Sequence, residues 1–283
     1  MTAATIIMLS LKISLFLTAL GFGLNATLTD LWYLLRQPGQ LLRSVLAMNM
    51  IMPLVAMFMA FLFGLPPLVK VTLLAISVSP LAPLFPKNTL KAGGHEGYVI
   101  GLMVVASVLS ILLIPLTLEI LAHLLHKSIA IDLKALIITA FLSVIMPLIL
   151  GIFLRRFAST FAEKIAGPVS GISRILLIVS VLPVLVKMFP AVMHLAGNGT
   201  IVAIATFVFA GILVGHLLGG PARTDRAVLA LATASRHPAI ALLVASSNMQ
   251  NHNLAPAAIL LYLLINAAAA LFYLKWLQGN KQV

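Results

Sequence analysis

Nine apolar runs fill almost the whole chain. Each is long enough to cross a bilayer as one helix or as two half-helices. They are Ile6–Thr27, Leu41–Phe63, Leu68–Gly93, Tyr98–Leu125, Ala135–Phe157, Val169–Phe189, Ile201–Leu218, Arg226–Ser247 and Leu254–Trp276. A spanning helix needs about 20 apolar residues. Inside lipid every backbone polar group must be paired within the protein, so the choice narrows to helices or a closed barrel. Charged residues make up 8% of the 283 and hydrophobic ones 62%. A soluble domain carries about 25% charged residues, and a disordered chain is polar throughout. Both classes are excluded. The expected fold is an all-α membrane protein with nine transmembrane segments. The chain has no cysteine, so disulfides and thiolate metal sites are ruled out. The first run lacks a basic n-region and cleavage site and is expected to remain as a spanning helix.

The charge balance is 18 Lys and Arg against 6 Asp and Glu, a net +12. Such an excess in a soluble chain would suggest nucleic acid. Here it predicts orientation, because cytoplasmic loops are enriched in Lys and Arg. Alternate loops place Arg36, Arg43, Lys91, Arg155, Arg156, Lys164, Arg223, Arg226, Lys275 and Lys281 on one side, and Lys70, Lys127, Lys134 and Lys187 on the other. The expected placement is a multi-pass protein of the cell membrane, with the N-terminus outside and the C-terminus in the cytoplasm. Its partner is the lipid bilayer, with no nucleic acid and no evident protein partner. Lys12 and Arg174 lie near segment ends and can snorkel. Lys87 and Arg236 need another explanation.

Both fall where a segment is interrupted. The third segment is broken by Pro80, Pro83 and Pro86, and the eighth by Pro238. At an offset of 156, Ser77-Val78-Ser79 lines up with Thr233-Ala234-Ser235, and Lys70 with Arg226. The two copies are five segments apart and so cross in opposite directions. Matched interruptions in two inverted halves point to the binding site of a secondary transporter. Proline removes a backbone donor and frees a carbonyl, which lipid cannot satisfy. Pro86 and Pro238 suit the start of a second half-helix, and such N-termini attract anions. Lys87 and Arg236 would add full positive charges beside them.

These residues resemble the bile acid:sodium symporter family. Gly21-Phe22-Gly23-Leu24 is similar to its Gly-Met-Gly-Leu. Met52-Pro53, Lys91-Ala92-Gly93-Gly94, Pro115, Met146-Pro147-Leu148 and the last segment with Asn266, Leu271, Tyr273 and Trp276 also match. The resemblance implies two inverted repeats, residues 1–125 (lacking the first helix) and 126–283. It also implies a panel formed by 6–63 and 167–218 and a core formed by 67–157 and 224–277. The departures lie at the family's sodium motifs. Pro-Gly-Gly-Thr-Ala-Ser-Asn is here Pro80-Leu81-Ala82-Pro83-Leu84-Phe85-Pro86, and Glu-x-Gly-x-Gln-Asn is Thr233-Ala234-Ser235-Arg236-His237-Pro238. Further ligand positions fall on Met48, Val99 and Met103. Hard cations need several oxygen ligands, so both sodium sites are expected to be lost and sodium as a co-ion is in doubt.

The resulting expectation is a secondary transporter of a small organic anion, working by alternating access. Its candidate substrate-binding residues are Ser79, Lys87, Asn88, Thr233, Ser235, Arg236, His237 and Asn266. Lys87 and Arg236 would do the electrostatic work of bound cations. No cofactor, metal site or enzymatic motif is expected. The alternatives are a sodium-coupled symporter with other ligands, or a non-transporting sensor or partner subunit on the same fold.

Overall fold

A computed structural model describes residues 3–82, 89–90, 94–125, 132–195, 199–248 and 254–279. The described residues are helical, with one isolated β-bridge and no longer strand. The helices are α1 (Ala3–Asn25), α2 (Leu28–Tyr33), α3 (Pro38–Val45), α4 (Met52–Leu62), α5 (Pro67–Val78) and α6 (Glu96–Leu125). They continue with α7 (Leu133–Ala140), α8 (Met146–Phe157), α9 (Ser159–Leu195), α10 (Thr200–Leu218), α11 (Arg223–Ala234), α12 (Pro238–Ser247) and α13 (Ala255–Gly279). Wide π-type turns at Leu46–Ile51 and Phe141–Ile145 join α3 to α4 and α7 to α8.

Seven helices among the described residues are long and apolar enough to cross a membrane: Thr5–Asn25, Pro38–Leu62, Glu96–Ile120, Leu133–Phe157, Ser159–Leu195, Thr200–Leu218 and Ala255–Gly279. The third and eighth expected segments are not among them. Their helices stop at Val78 and Ala234, short of a full span. Apolar composition marks a segment, but a helix of spanning length also needs an unbroken backbone ladder, which these two lack.

Both wide turns run directly into a Met-Pro step, Met52-Pro53 and Met146-Pro147. Proline supplies no N–H to the turn behind it, and the helix relaxes by widening. The same chemistry therefore shapes two distant segments.

Two sets of helices pack most closely, and α9 of the first also packs against α13 of the second. α1 lies along α8 and α9. Gly23 and Gly151 let the backbones of α1 and α8 touch: a Cβ on Gly151 would sit 2.7 Å from Leu24 N and 2.6 Å from Leu20 O. In the other group, α10 runs against α11 and α13, α4 against α5, and α12 against α5 and α13. Gly215 of α10 is pressed onto α11, where a Cβ would fall 2.5 Å from Ala230 Cα. Ala227–Ala234 of α11 and the first half of α13 are buried. α9 instead exposes Ile175, Val179, Leu182, Val186 and Phe189, an outer surface suited to lipid.

Candidate functional site

The site forms where the two interrupted segments meet. α5 ends at Val78, and residues 79–82 run extended. α11 ends at Ala234, and α12 begins at Pro238 with proline in its first turn. Between them Ser235 and His237 are extended. Leu81 and Arg236 form an antiparallel bridge, and the His237 N–H donates to the Pro80 carbonyl at 2.8 Å. Each unwound stretch thus satisfies part of the other's backbone, which lipid could not do.

Arg236 lies at the centre and is completely buried. Its Nε donates to the Thr233 carbonyl at 3.2 Å, Nη1 to the Ser79 carbonyl at 3.1 Å, and Nη2 to the Met48 carbonyl at 2.8 Å. Each acceptor has been released by a helix break. The Thr233 carbonyl loses its partner because the His237 N–H bonds across to Pro80. Ser79 caps α5, and the next residue is proline. Met48 lies in the wide turn before Pro53, whose missing N–H leaves that turn short of donors. A guanidinium presents several donors in a fixed fork, and here it gathers carbonyls from three segments. It also faces the C-terminal ends of α5 and α11, where each helix dipole carries about half a negative charge.

Tyr262 of α13 completes the knot. Its hydroxyl accepts the Arg236 N–H at 2.8 Å and donates to the Ala234 carbonyl. His237 is also completely buried. Its Nε2 is 3.0 Å from Ser143 Oγ in the second wide turn, and its Nδ1 has no partner among the described residues. Asn266 Nδ2 donates to Ser235 Oγ at 3.4 Å, while its Oδ1 is buried with no partner among the described residues.

The structure therefore brings together Ser79, Thr233, Ser235, Arg236, His237 and Asn266 of the expected set. Ser79 and Thr233 enter through their carbonyls. Their hydroxyls donate within their own helices, to Ala75 at 2.7 Å and to Leu229. Ser77 does the same, to Leu74 at 2.7 Å. Such local bonds are the usual fate of helical Ser and Thr in lipid. Lys87 and Asn88 lie outside the described residues, as do Pro83 and Pro86. Two participants escape the sequence reading, Tyr262 and Ser143, and the Met146-Pro147 step is the signal that could have led to the second. Met48, which the resemblance placed at a ligand position of the family, enters instead through its carbonyl.

No acidic side chain is buried to balance Arg236. Asp30 and Asp225 are half-buried, and Glu96, Glu119, Asp132 and Glu163 are exposed. The described residues contain no group of three or more His, Asp or Glu side chains able to hold a metal ion.

Two helices interrupted in mid-span, crossing at their unwound residues around a buried polar site, are the architecture of secondary membrane transporters. The model of the sodium bile acid symporter family matches residues 12–195, and the chain belongs to that family. It is thus a multi-pass membrane protein of a transporter family, not an enzyme. Over 157 residues the chain is 27% identical to the "probable sodium/metabolite cotransporter BASS1, chloroplastic" of Arabidopsis thaliana, covering 56% of this chain and 38% of that protein. Over 163 residues it is 27% identical to the "uncharacterized sodium-dependent transporter YocS" of Bacillus subtilis (strain 168), covering 57% of this chain and 49% of that one. In both cases less than half of the relative's length is matched.

Proposed function

We propose that the chain is a secondary transporter that carries a small organic anion by alternating access and does not couple to sodium through its family's sites. The observation that supports this reading is the place of Arg236. A tethered guanidinium fills the one spot where three freed carbonyls and two helix C-termini converge, which is the environment a bound cation would seek. Helix dipoles have no net charge, so among the described residues the crossing keeps the formal positive charge of Arg236 with no buried carboxylate to offset it. A buried charge of this kind costs about 2.5–3.5 kcal/mol on insertion scales. An anion that arrives with its own negative charge recovers part of that cost. Arg236 then acts through its field, while the backbone N–H groups at the N-terminus of α12 offer direct polar contacts.

The packing supports drawing the moving bodies as α1, α8 and α9 on one side and α4, α5 and α10–α13 on the other. This grouping differs from the expected one, which put the second and seventh segments in the panel and the fifth in the core. Nine crossings in two inverted halves, with Lys- and Arg-rich loops in the cytoplasm, remain the topology we favour.

A sodium-coupled reading has one specific support, since both relatives carry sodium in their names. A thermal-shift series separates the two readings. Purified protein is titrated with organic anions, including taurocholate and pyruvate, in sodium and in choline buffer. A ligand at 100 times its Kd stabilises by about 2.7 kcal/mol. Stabilisation that is equal in both buffers is the expected result. Stabilisation that requires sodium overturns the sodium-free reading. No stabilisation by any anion counts against an anion transporter.

A further inference from the structure

We infer that the chain pairs with a second copy of itself through the outward face of α9, the two α9 helices running parallel across the membrane. The pairing is independent of which solute the protein carries and of which ion accompanies it.

The helices recur at the offset that aligns the two breaks. Shifted by 156 residues, α5 (Pro67–Val78) covers α11 (Arg223–Ala234) end to end. The start of α1 at Ala3 falls on the start of α9 at Ser159, and the end of α4 at Leu62 on the end of α10 at Leu218. Most of α6 falls on α13. α7 and α8 have no counterpart among the described helices. They cover one face of α1: Ala19 clusters with Val144 of the second wide turn, and Ala26 with Leu148 and Ile152 of α8. Gly23 lies between them against the Leu148 carbonyl. Ala19 and Ala26 are fully buried there, whereas the residues at the same places on α9, Ile175, Val179 and Leu182, are 63%, 58% and 55% exposed. One half of the molecule buries this face under a helix, and the other half turns it outward.

Lipid accepts an apolar face of any pattern, so it is the pattern on α9 that points to a protein partner. Ile172, Ile175, Val179, Leu182, Val186 and Phe189 are all more than half exposed. Their spacing alternates three and four, the 3.5-residue repeat along which one helix winds on another. At 1.5 Å per residue the stripe is about 26 Å long, most of the ~30 Å hydrocarbon core. Ile172, Val179 and Val186 take the a positions, and Leu182 the central d position. β-branched residues at a with leucine at d favour a parallel two-stranded pair. Parallel helices of one sequence are what a two-fold axis along the membrane normal produces, and two-fold dimers are the commonest closed assembly. That is why the occupant is a second copy. Small residues at the α1 positions let α8 approach closely, while the bulkier ones on α9 suit knobs-into-holes packing at 8–10 Å between axes. Arg174 and Lys187 fall at c and b positions, off the seam, so like charges do not meet. The stripe is also fixed in direction. On the opposite side of α9, Ser173 and Ser14 exchange hydroxyl-to-carbonyl bonds of 2.9 and 3.1 Å with each other, and Ser180 is buried.

The pairing has a mechanical consequence. α9 packs with α1 and α8, and α1 is bonded to α9 through the two serines. Joining two copies at α9 makes one frame of the two sets, and each crossing of interrupted helices then moves against that frame. A monomer has no such fixed reference, because either of its two bodies can tilt in the lipid.

The chain has no cysteine, so single cysteines report contacts without background. Leu182→Cys is oxidised with copper phenanthroline in the membranes of the expressing cells and compared with Leu213→Cys, a similarly exposed position on α10. A disulfide needs Cβ atoms about 4 Å apart, so a dimer band about tenfold stronger for Leu182→Cys than for Leu213→Cys is expected. Wild-type protein is also excised with its own lipid in polymer discs and weighed by native mass spectrometry. Two chains per disc are expected, and the double variant Val179→Ala/Val186→Ala should shift most discs to one chain. Equal cross-linking at the two cysteines is random collision and overturns the inference. One wild-type chain per disc, with phospholipid alone around it, gives the face to lipid and overturns it as well. A single-span protein of another sequence in the disc in place of the second copy does the same. Two chains per disc that survive the double variant unchanged are held through another face, which also overturns it.

Discussion

The two helix breaks at the crossing are built from the same kind of step, Ser-x-Ser and Thr-x-Ser before proline, yet they contribute opposite chemistry. The break after α5 offers acceptors, namely the Ser79 and Pro80 carbonyls. The break between α11 and α12 offers the matching donors, the Arg236 guanidinium and the His237 N–H. Among the described residues the first break contributes backbone carbonyls, while the other has placed a cation and an imidazole in the gap. A helix end in lipid must find partners, and here each break is the partner of the other. Where two like elements face each other, their surplus groups are also alike. Some residue must change type to supply the missing donors, and that residue is Arg236.

This contrast can be broken from the second break with the largest effect. Arg236→Met leaves three carbonyls buried without donors, each costing about 1–3 kcal/mol. Transport of taurocholate or pyruvate is expected to fall at least a hundredfold, and the melting temperature in detergent to drop sharply. Arg236→Lys, which keeps the charge and fewer bonds, should recover part of the flux. A methionine variant as active and as stable as the wild type would remove Arg236 from the centre of the design.

Tyr262→Phe comes next. It strips a donor from the Ala234 carbonyl and an acceptor from the Arg236 N–H without changing the packing volume. The expected loss is about 1–3 kcal/mol, read by thermal unfolding. Ser143→Ala follows with about 1 kcal/mol. It frees His237 Nε2 and should slow transport several-fold, which initial-rate flux measures. The smallest effect falls on the first break. Ser79→Ala removes only a hydroxyl bonded within its own helix, while the carbonyl used by Arg236 remains. Stability within about 1 kcal/mol of wild type is expected. A large loss there would show that the first break also works through its side chains.

The residue types show the fold more readily than the site. Runs such as Thr200–Leu218 can be read directly, because 19 residues with hardly a polar side chain leave lipid as the only solvent. The breaks are also visible, since Pro80 and Pro238 cannot sit silently in a helix. The acceptors are not, because a carbonyl is common to every residue and nothing about Met48 as a residue type marks it. Its role depends on Pro53 five positions later and on a widened turn that only coordinates display. Tyr262 is hidden differently: within Ala255–Gly279 it is one of two tyrosines among alanines and leucines, and it reads as packing. Arg236 stands out as a charge in an apolar run. Its type does not reveal that the guanidinium turns onto helix C-termini rather than into an open site.

The bonds of Arg236 also bear on how the protein is made. Its partners lie 157 and 188 residues earlier in the chain, at Ser79 and Met48. A ribosome delivers those carbonyls to the membrane long before the arginine emerges. When the eighth segment reaches the translocon, the groups that make its charge tolerable are already embedded and waiting. The segment that hydropathy would rate a poor candidate for insertion enters a membrane prepared for it by its predecessors. The order of synthesis therefore becomes part of the solution to burying the charge.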